Sequence, residues 1–307
     1  MAKQKASVVV PTRNRADLLL TCLDALSRQD IDLQSFEVLV CDDGSAEDIL
    51  SAVQPVLNRG MNIRILRQPP KGPAAARNLG INNSSAPIII FVDSDTVPER
   101  SMIKRLMESL ESQPNWLGAE AMIEPIGGDE GLLWDAPSCD KGGRFHTAAI
   151  AFRREALIEA GGLDQEFKLP ACEDVELAMR ILPYGAIGFV PEAVTYHPRR
   201  PITLKSHWYW RKRWRYVVIL AKRYGILAFP EKTAGRFPRL RVAIAAVITL
   251  PVGRFLAGLK YLTHDPTEGL LACGYALFDI FCGAVALPMI LFDRVPERKN
   301  YVDKGKP

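Results

Sequence analysis

Cysteine is sparse and scattered. The six cysteines (Cys22, Cys41, Cys139, Cys172, Cys273, Cys282) form no C-x-x-C pair. Such spacing gives no disulfide framework, and the thiols read as reduced, in a cytosolic setting. Excess charge is also missing. A formal net charge of +4 over 307 residues argues against a dedicated nucleic-acid binder. No apolar signal-peptide core precedes the first apolar run, since Met1-Ala2-Lys3-Gln4-Lys5 leads straight into it. The expectation is an N-terminal domain on the cytoplasmic side.

What the chain does have is apolar content, 48%, enough for a full core. One stretch organises it. The run Ile88 to Val92 reads as a strand buried on both faces, and it stops at Asp93-Ser94-Asp95. In open α/β sheets the carboxyl ends of strands are where ligands bind. Two carboxylates this close repel unless a cation intervenes, and hard oxygen donors suit Mg²⁺ or Mn²⁺ with substrate phosphates completing the sphere.

The preceding segments repeat a strand-turn-helix rhythm. Ala6 to Val10 is strand-like and stops at Pro11; Thr12 to Arg15 form a polar turn; Ala16 to Arg28 carry helical apolar spacing. A strand opening into a helix this way makes an anion site at the helix N-terminus. Phe36 to Val40 is a second strand ending in Cys41-Asp42-Asp43-Gly44-Ser45, whose acids serve either a nucleotide or the turn itself. Ile63 to Leu66 is a third strand. Lys71 to Gly80 then enters a helix of small residues, which allow close approach to a neighbour. Strands alternating with helices predict a doubly wound, mostly parallel sheet. Residues 113–145, with several Pro and Gly, read as loops and short strands on the acceptor side.

Taken in order, Val8-Val9-Val10-Pro11-Thr12-Arg13-Asn14-Arg15, Asp42-Asp43-Gly44-Ser45, Gly72 to Gly80 and Asp93-Ser94-Asp95 resemble a family 2 glycosyltransferase of the GT-A fold. The resemblance continues through Ala156 to Asp164, Glu173-Asp174 and Tyr196-His197-Pro198, and so spans about residues 6 to 200. It implies a Rossmann-like nucleotide-binding half joined to an acceptor half, and inverting transfer of a sugar from a nucleotide diphosphate donor, a UDP-sugar foremost. By position it implies that Pro11, Thr12 and Arg15 line the nucleotide, Asp43 contacts the base, and Arg77 sits near base or phosphate. Asp93 would contact ribose or metal, and Asp95 would ligate the metal, with His197 as a further ligand for Mn²⁺ or Mg²⁺. Asp174, with Glu173 beside it, is the implied general base in the first turn of a helix. His146 is a weaker acceptor-side candidate, and Trp134 reads as core or as a sugar platform. The competing readings are helix capping by Glu173 and Asp174, or a silent nucleotide-sugar-binding scaffold.

The C-terminal third differs in character. Residues 203–240 mix Trp, Tyr, Arg and Lys, a composition suited to a bilayer interface. Val242 to Leu262 and Leu270 to Phe292 are apolar stretches long enough to cross a membrane, interrupted by Arg254 and Asp279. Arg236, Arg239 and Arg241 precede them and Arg294, Arg298 and Lys299 follow, while the acidic link carries neither Lys nor Arg. This predicts a hairpin with both ends inside, in which Arg254 and Asp279 pair at similar depth. The expected organisation is a catalytic domain over 1–202, interfacial helices over 203–240 and an anchor over 241–307. The expected place is the cytoplasmic face of the cell membrane, with a glycan or glycolipid acceptor. A peripheral enzyme acting on a soluble acceptor is the alternative.

Overall fold

A computed structural model describes residues 4–129, 131–203, 206, 214–224, parts of 255–278 and 299–302. By contact, the chain forms two units. The first comprises Met1–Ile126, Pro137–Pro198 and Arg298–Pro307; the second comprises Gly127–Ala136 and Arg199–Glu297.

The first unit holds β1 (Ala6–Thr12), α1 (Ala16–Leu26), β2 (Phe36–Asp42), α2 (Ile49–Leu57), β3 (Ile63–Arg67), α3 (Pro73–Asn83) and β4 (Ile88–Val92). After these come β5 (Val97–Pro98), α4 (Met102–Ser112) and β6 (Trp116–Ile126). In the second unit, β7 (Trp134–Asp135) pairs with β10 (Arg200–Pro201), Trp134 opposite Pro201. The first unit resumes with β8 (Ala149–Arg153), α5 (Arg154–Ala160), α6 (Glu173–Ile181) and β9 (Ala186–Pro198). The second unit also contains α7 (Trp214–Tyr224).

Eight strands form one sheet in the order β3-β2-β1-β4-β8-β6-β9-β5. The expectation of a mostly parallel sheet needs correction. The β3-β2-β1-β4 half is parallel throughout, but β8 runs antiparallel to both β4 and β6, and β5 antiparallel to β9. The sheet is therefore mixed. The reason is local: the loop from Gly142 to Ala148 approaches from the carboxyl edge of β4, so the strand after it must run back. Residues 113–145 also contain more order than expected, since β6 is an 11-residue strand.

Pleating divides the core. Val8, Val10, Val38, Val40, Ile88 and Ile90 face α1, α2 and α4, while Val9, Leu39, Ile89 and Phe91 face α3, α5 and α6. Gly80 brings α3 down onto the sheet: a Cβ there would stand 2.4 Å from Val9 Cγ1. Small residues in α3 thus serve close packing, as their composition suggested.

Among the described residues, no helix is long and apolar enough to cross a membrane. Most of the basic-aromatic run Trp208 to Tyr216, most of the two apolar stretches, and the proposed partners Arg254 and Asp279 lie outside the described residues. Tyr301 and Val302 belong to the first unit. Tyr301 donates its N–H to Gly161 at 3.1 Å, and Val302 is buried in the core beside Gly162.

Candidate active site

Register places the site. β1, β2 and β4 are parallel and end at one edge. β8 is antiparallel, with Ala149 opposite Val92, so its amino end lies at that same edge. β6 runs against β8, and β9 runs with β6, so His197 near the end of β9 returns there too. Thr12, Asp43, Asp93, Asp95, the loop before Ala149 and His197 therefore converge at one edge, although they span most of the first unit's sequence.

Asp93, Asp95 and His197 each offer a ligand atom, and these atoms lie within 4.8 Å of one another. Arg15 Nη1 donates to Asp95 Oδ2 at 2.7 Å. His197 Nδ1 lies 3.1 Å from the Pro198 carbonyl, which can only accept, so Nδ1 carries the proton. Its Nε2 lone pair then faces Asp95 Oδ1 across 3.6 Å. Burial depresses the His197 pKa, which favours the neutral imidazole. A lone pair set against a carboxylate oxygen repels unless a cation stands between them. The donor set, two carboxylates and one neutral imidazole, fits Mn²⁺ or Mg²⁺ on those grounds.

Arg77 connects this cluster to α6. Its side chain is only 3% exposed. Nη2 donates to Asp93 Oδ1 at 2.6 Å and Nη1 to Glu173 Oε1 at 3.2 Å. Burial opposes its charge, but Asp93 and Glu173 outweigh burial and raise its pKa. Of the partners that the sequence offers Arg77, a phosphate or a strand-end carboxylate, the second is met by Asp93, and Glu173 takes the other nitrogen. Glu173 receives the longer contact and is buried beside Asp174; burial first and Asp174 second push its carboxyl up to about 7. Among the described residues, Glu173 Oε2 and Arg77 Nε are buried with no hydrogen-bond partner.

The N-cap position of α6 is Cys172, in the left-handed region at φ 69°, so Glu173 and Asp174 stand inside the first turn rather than at the cap. Asp174 Oδ1 accepts from the adjacent Val175 N–H at 2.8 Å, and its Oδ2 lies 3.5 Å from His146 Nδ1. Burial opposes charge on His146, yet Asp174 outweighs it and raises the imidazole pKa. His146, a weaker candidate by sequence, thus stands next to the implied base.

On the nucleotide side, Asp43 is buried and already engaged. It accepts from Gln68 Nε2 at 2.8 Å, Lys71 N at 2.8 Å and Gly72 N at 2.9 Å. It therefore shapes the turn into α3, and its carboxylate has limited capacity left for a base. Asp42 accepts from Ser45 N, and α2 is capped by Asp48, so neither acid of the pair caps that helix. Thr12 Oγ1 is buried with no hydrogen-bond partner among the described residues, and Pro11 is half-buried within β1. An open cavity of about 520 Å³ lined by Asn14, Arg15, Glu47 and Asp48 shares Arg15 with the acidic cluster but none of its carboxylates.

Sequence reasoning missed Glu120. It sits on β6, 1% exposed, and accepts from the N–H groups of Gly143, Arg144 and Phe145 at 2.9–3.1 Å and from Cys139 Sγ at 3.0 Å.

An α/β sheet carrying an Asp-x-Asp pair and an imidazole at its carboxyl edge, with a second acidic pair across a buried arginine, is the arrangement to set beside known proteins. Residues 7–120 match the family described as Glycosyl transferase family 2, and the chain belongs to that family. It is 30% identical over 223 residues to the pre-mycofactocin glycosyltransferase of Mycobacterium tuberculosis, an alignment covering 67% of this chain and 45% of that protein. The chain thus spans less than half the length of that relative. Among solved structures, it resembles the mannosyltransferase PcManGT from Pyrobaculum calidifontis in complex with GDP-Man and Mn²⁺, at TM-score 0.61 and 20% identity, covering 96% of this chain and 89% of that one. It also resembles S. aureus TarS 1–349 in complex with UDP, at TM-score 0.58 and 15% identity, covering 99% and 98%. At these identities the structural likeness speaks for the GT-A fold.

Proposed function

We propose that the chain transfers a sugar from a nucleotide diphosphate donor to an acceptor hydroxyl with inversion, Asp174 acting as general base. One observation carries the reading: Arg77 bonds both the Asp93 carboxylate and Glu173, the neighbour of Asp174 in the first turn of α6, which supports a site shared by the metal-type donors and the base. Asp93, Asp95 and His197 would hold a divalent cation. Bound there, it would neutralise charge building on the departing diphosphate. Arg15 orients Asp95, and Thr12 Oγ1 offers an unspent hydrogen bond at the nucleotide edge. Asp174 takes the acceptor proton as the acceptor oxygen bonds to the anomeric carbon. The bond from that carbon to the diphosphate breaks, and its electron pair leaves with the nucleotide. The nucleotide is not fixed by these residues: one structural relative is in complex with GDP-Man and another with UDP.

The test is transfer activity of Asp174→Asn with donor binding measured alongside. Transfer falls about 10²-fold or more, as for loss of a general base, while donor affinity holds. Full transfer by Asp174→Asn refutes the reading, and donor binding without turnover in the wild type favours a silent scaffold.

We also propose a membrane-bound acceptor, with the protein on the cytoplasmic face. The apolar stretches and their basic flanks support it, as does the return of Tyr301 and Val302 to the first unit, which fits a hairpin with both ends on one side. Retention of the full chain in the pellet after a carbonate wash is the expected result. Release into the wash favours the peripheral alternative.

A further inference from the structure

Glu120 is a buried carboxyl group whose hydrogen bonds all turn toward a single loop. Each oxygen has two partners: Oε1 accepts from Cys139 Sγ at 3.0 Å and Arg144 N at 2.9 Å, and Oε2 from Gly143 N at 3.1 Å and Phe145 N at 2.9 Å. Three consecutive amides converge on one carboxylate only when the backbone alternates its handedness. Here Gly142 and Gly143 have φ of 73° and 78°, and Phe145, a bulky L-residue, is held at 58°. Such a conformation persists only when its surroundings impose it, and these four bonds are the imposing contacts. The next residue is His146, facing Asp174. The loop's far end is tied to the acidic cluster, because Asp93 N donates to the Ala148 carbonyl at 3.3 Å.

We propose that Glu120 is a positioning residue: its carboxylate holds the amides of residues 143–145 so that the His146 imidazole, 3.5 Å from Asp174 Oδ2, orients that carboxylate for the incoming acceptor. This rests on the reading of Asp174 as the base. The geometry gives the reason. Among the described residues Asp174 accepts one hydrogen bond, from its neighbour Val175, so the His146 imidazole at 3.5 Å supplies the second constraint on its plane. A proton-abstracting oxygen displaced by about 1 Å costs up to about 10²-fold in rate. The groups that set charge at His146 are Asp174 on α6, Glu120 on β6, and Arg144 on its own loop; His197 on β9 also senses it.

The experiment compares wild type, Glu120→Gln and Gly143→Ala in the full chain. Gln keeps the shape but cannot accept at its nitrogen. A Cβ at residue 143 touches nothing within 4 Å yet strains φ 78°, so it disturbs the loop without crowding it. Three readouts are taken: kcat and KM for transfer, binding of the nucleotide sugar with Mg²⁺, and the His146 titration by NMR, assigned through His146→Gln. Both variants are expected to lose about tenfold to a hundredfold in kcat and keep donor binding; in Gly143→Ala, which leaves the Glu120 charge in place, the His146 titration moves down from its raised position as the Asp174 contact opens. If Glu120→Gln fails to fold, Gly143→Ala decides. A folded variant with wild-type kcat and an unmoved His146 titration overturns the proposal, as does one that loses only donor binding. Asp174→Asn separates the two readings. Full transfer by that variant removes the base assignment itself, whereas its inactivity beside an unaffected Glu120→Gln removes only the role of Glu120.

Discussion

Removing Arg77 should expose how the site is held together without its metal. In Arg77→Met the volume is roughly kept and the charge is lost, leaving Asp93, Asp95, Glu173 and Asp174 with no buried cation between the two pairs. Close opposite charges attract by about 4 kcal/mol each at an effective dielectric near 20, and desolvation offsets part of that. Breaking a buried pair by removing one partner costs about 3–5 kcal/mol, because the remaining charges stay buried. Glu173 softens the loss: already raised by burial and Asp174, it takes up a proton once Arg77 is gone, which favours the lower end of the range. For a domain of this size each kcal/mol moves the melting midpoint by about 2–4 °C, so a fall of about 6–15 °C is expected at pH 7.5. Thermal unfolding with and without Mn²⁺ is the assay. The cation should stabilise Arg77→Met more than wild type, since the variant's acidic cluster has lost its internal counter-charge; saturation at a hundred times Kd recovers about 2.7 kcal/mol. A variant that melts within about 2 °C of wild type, or one that Mn²⁺ leaves unmoved, would show that Arg77 is not the counter-ion of this cluster.

Three further outcomes follow from the same geometry. Glu173 has a folded pKa raised above its ordinary value, so its contribution to stability is present at low pH and lost as pH rises from about 4.5 through about 7; Glu173→Gln should therefore gain on wild type by about 1–3 kcal/mol at pH 8 relative to pH 4, read from urea unfolding at both values. Asp95→Asn should abolish the Mn²⁺-dependent rise in melting midpoint, and a full rise in that variant would remove Asp95 from the ligand set. Gly80→Ala should destabilise by about 1–3 kcal/mol, because its Cβ would press on Val9 at 2.4 Å, and Val9→Ala in the same chain should restore most of the loss; absence of rescue would mean that another contact limits the packing of α3.

The nucleotide-binding half was legible because buried parallel strands need uninterrupted apolar runs. β4 ends at Val92, where the apolar run ends. β1 and β2 run two residues beyond their apolar runs, since the parallel ladder pairs Pro11 with Cys41 and Thr12 with Asp42, and a ladder bonds backbone whatever the side chains. β6 was illegible for the opposite reason: Glu120, Glu124 and Pro125 break its apolar pattern, while its neighbours on both sides still pair with it. The acids at 93, 95 and 174 and His197 were named from local motifs, but nothing local pairs Arg77 with a carboxylate 96 residues away.

The sequence alone determined which residues carry charge at strand and helix ends, and through its apolar rhythm it determined that those ends would be ligand-facing. Only the tertiary structure decided what each charge is spent on. Arg77 is committed to Asp93 and Glu173, Asp43 to the turn into α3, and Glu120 to three amides. Burial is the reason: once water is excluded, a charge must find its partner within about 3 Å, and the neighbours that qualify are set by the register of strands far apart in the chain.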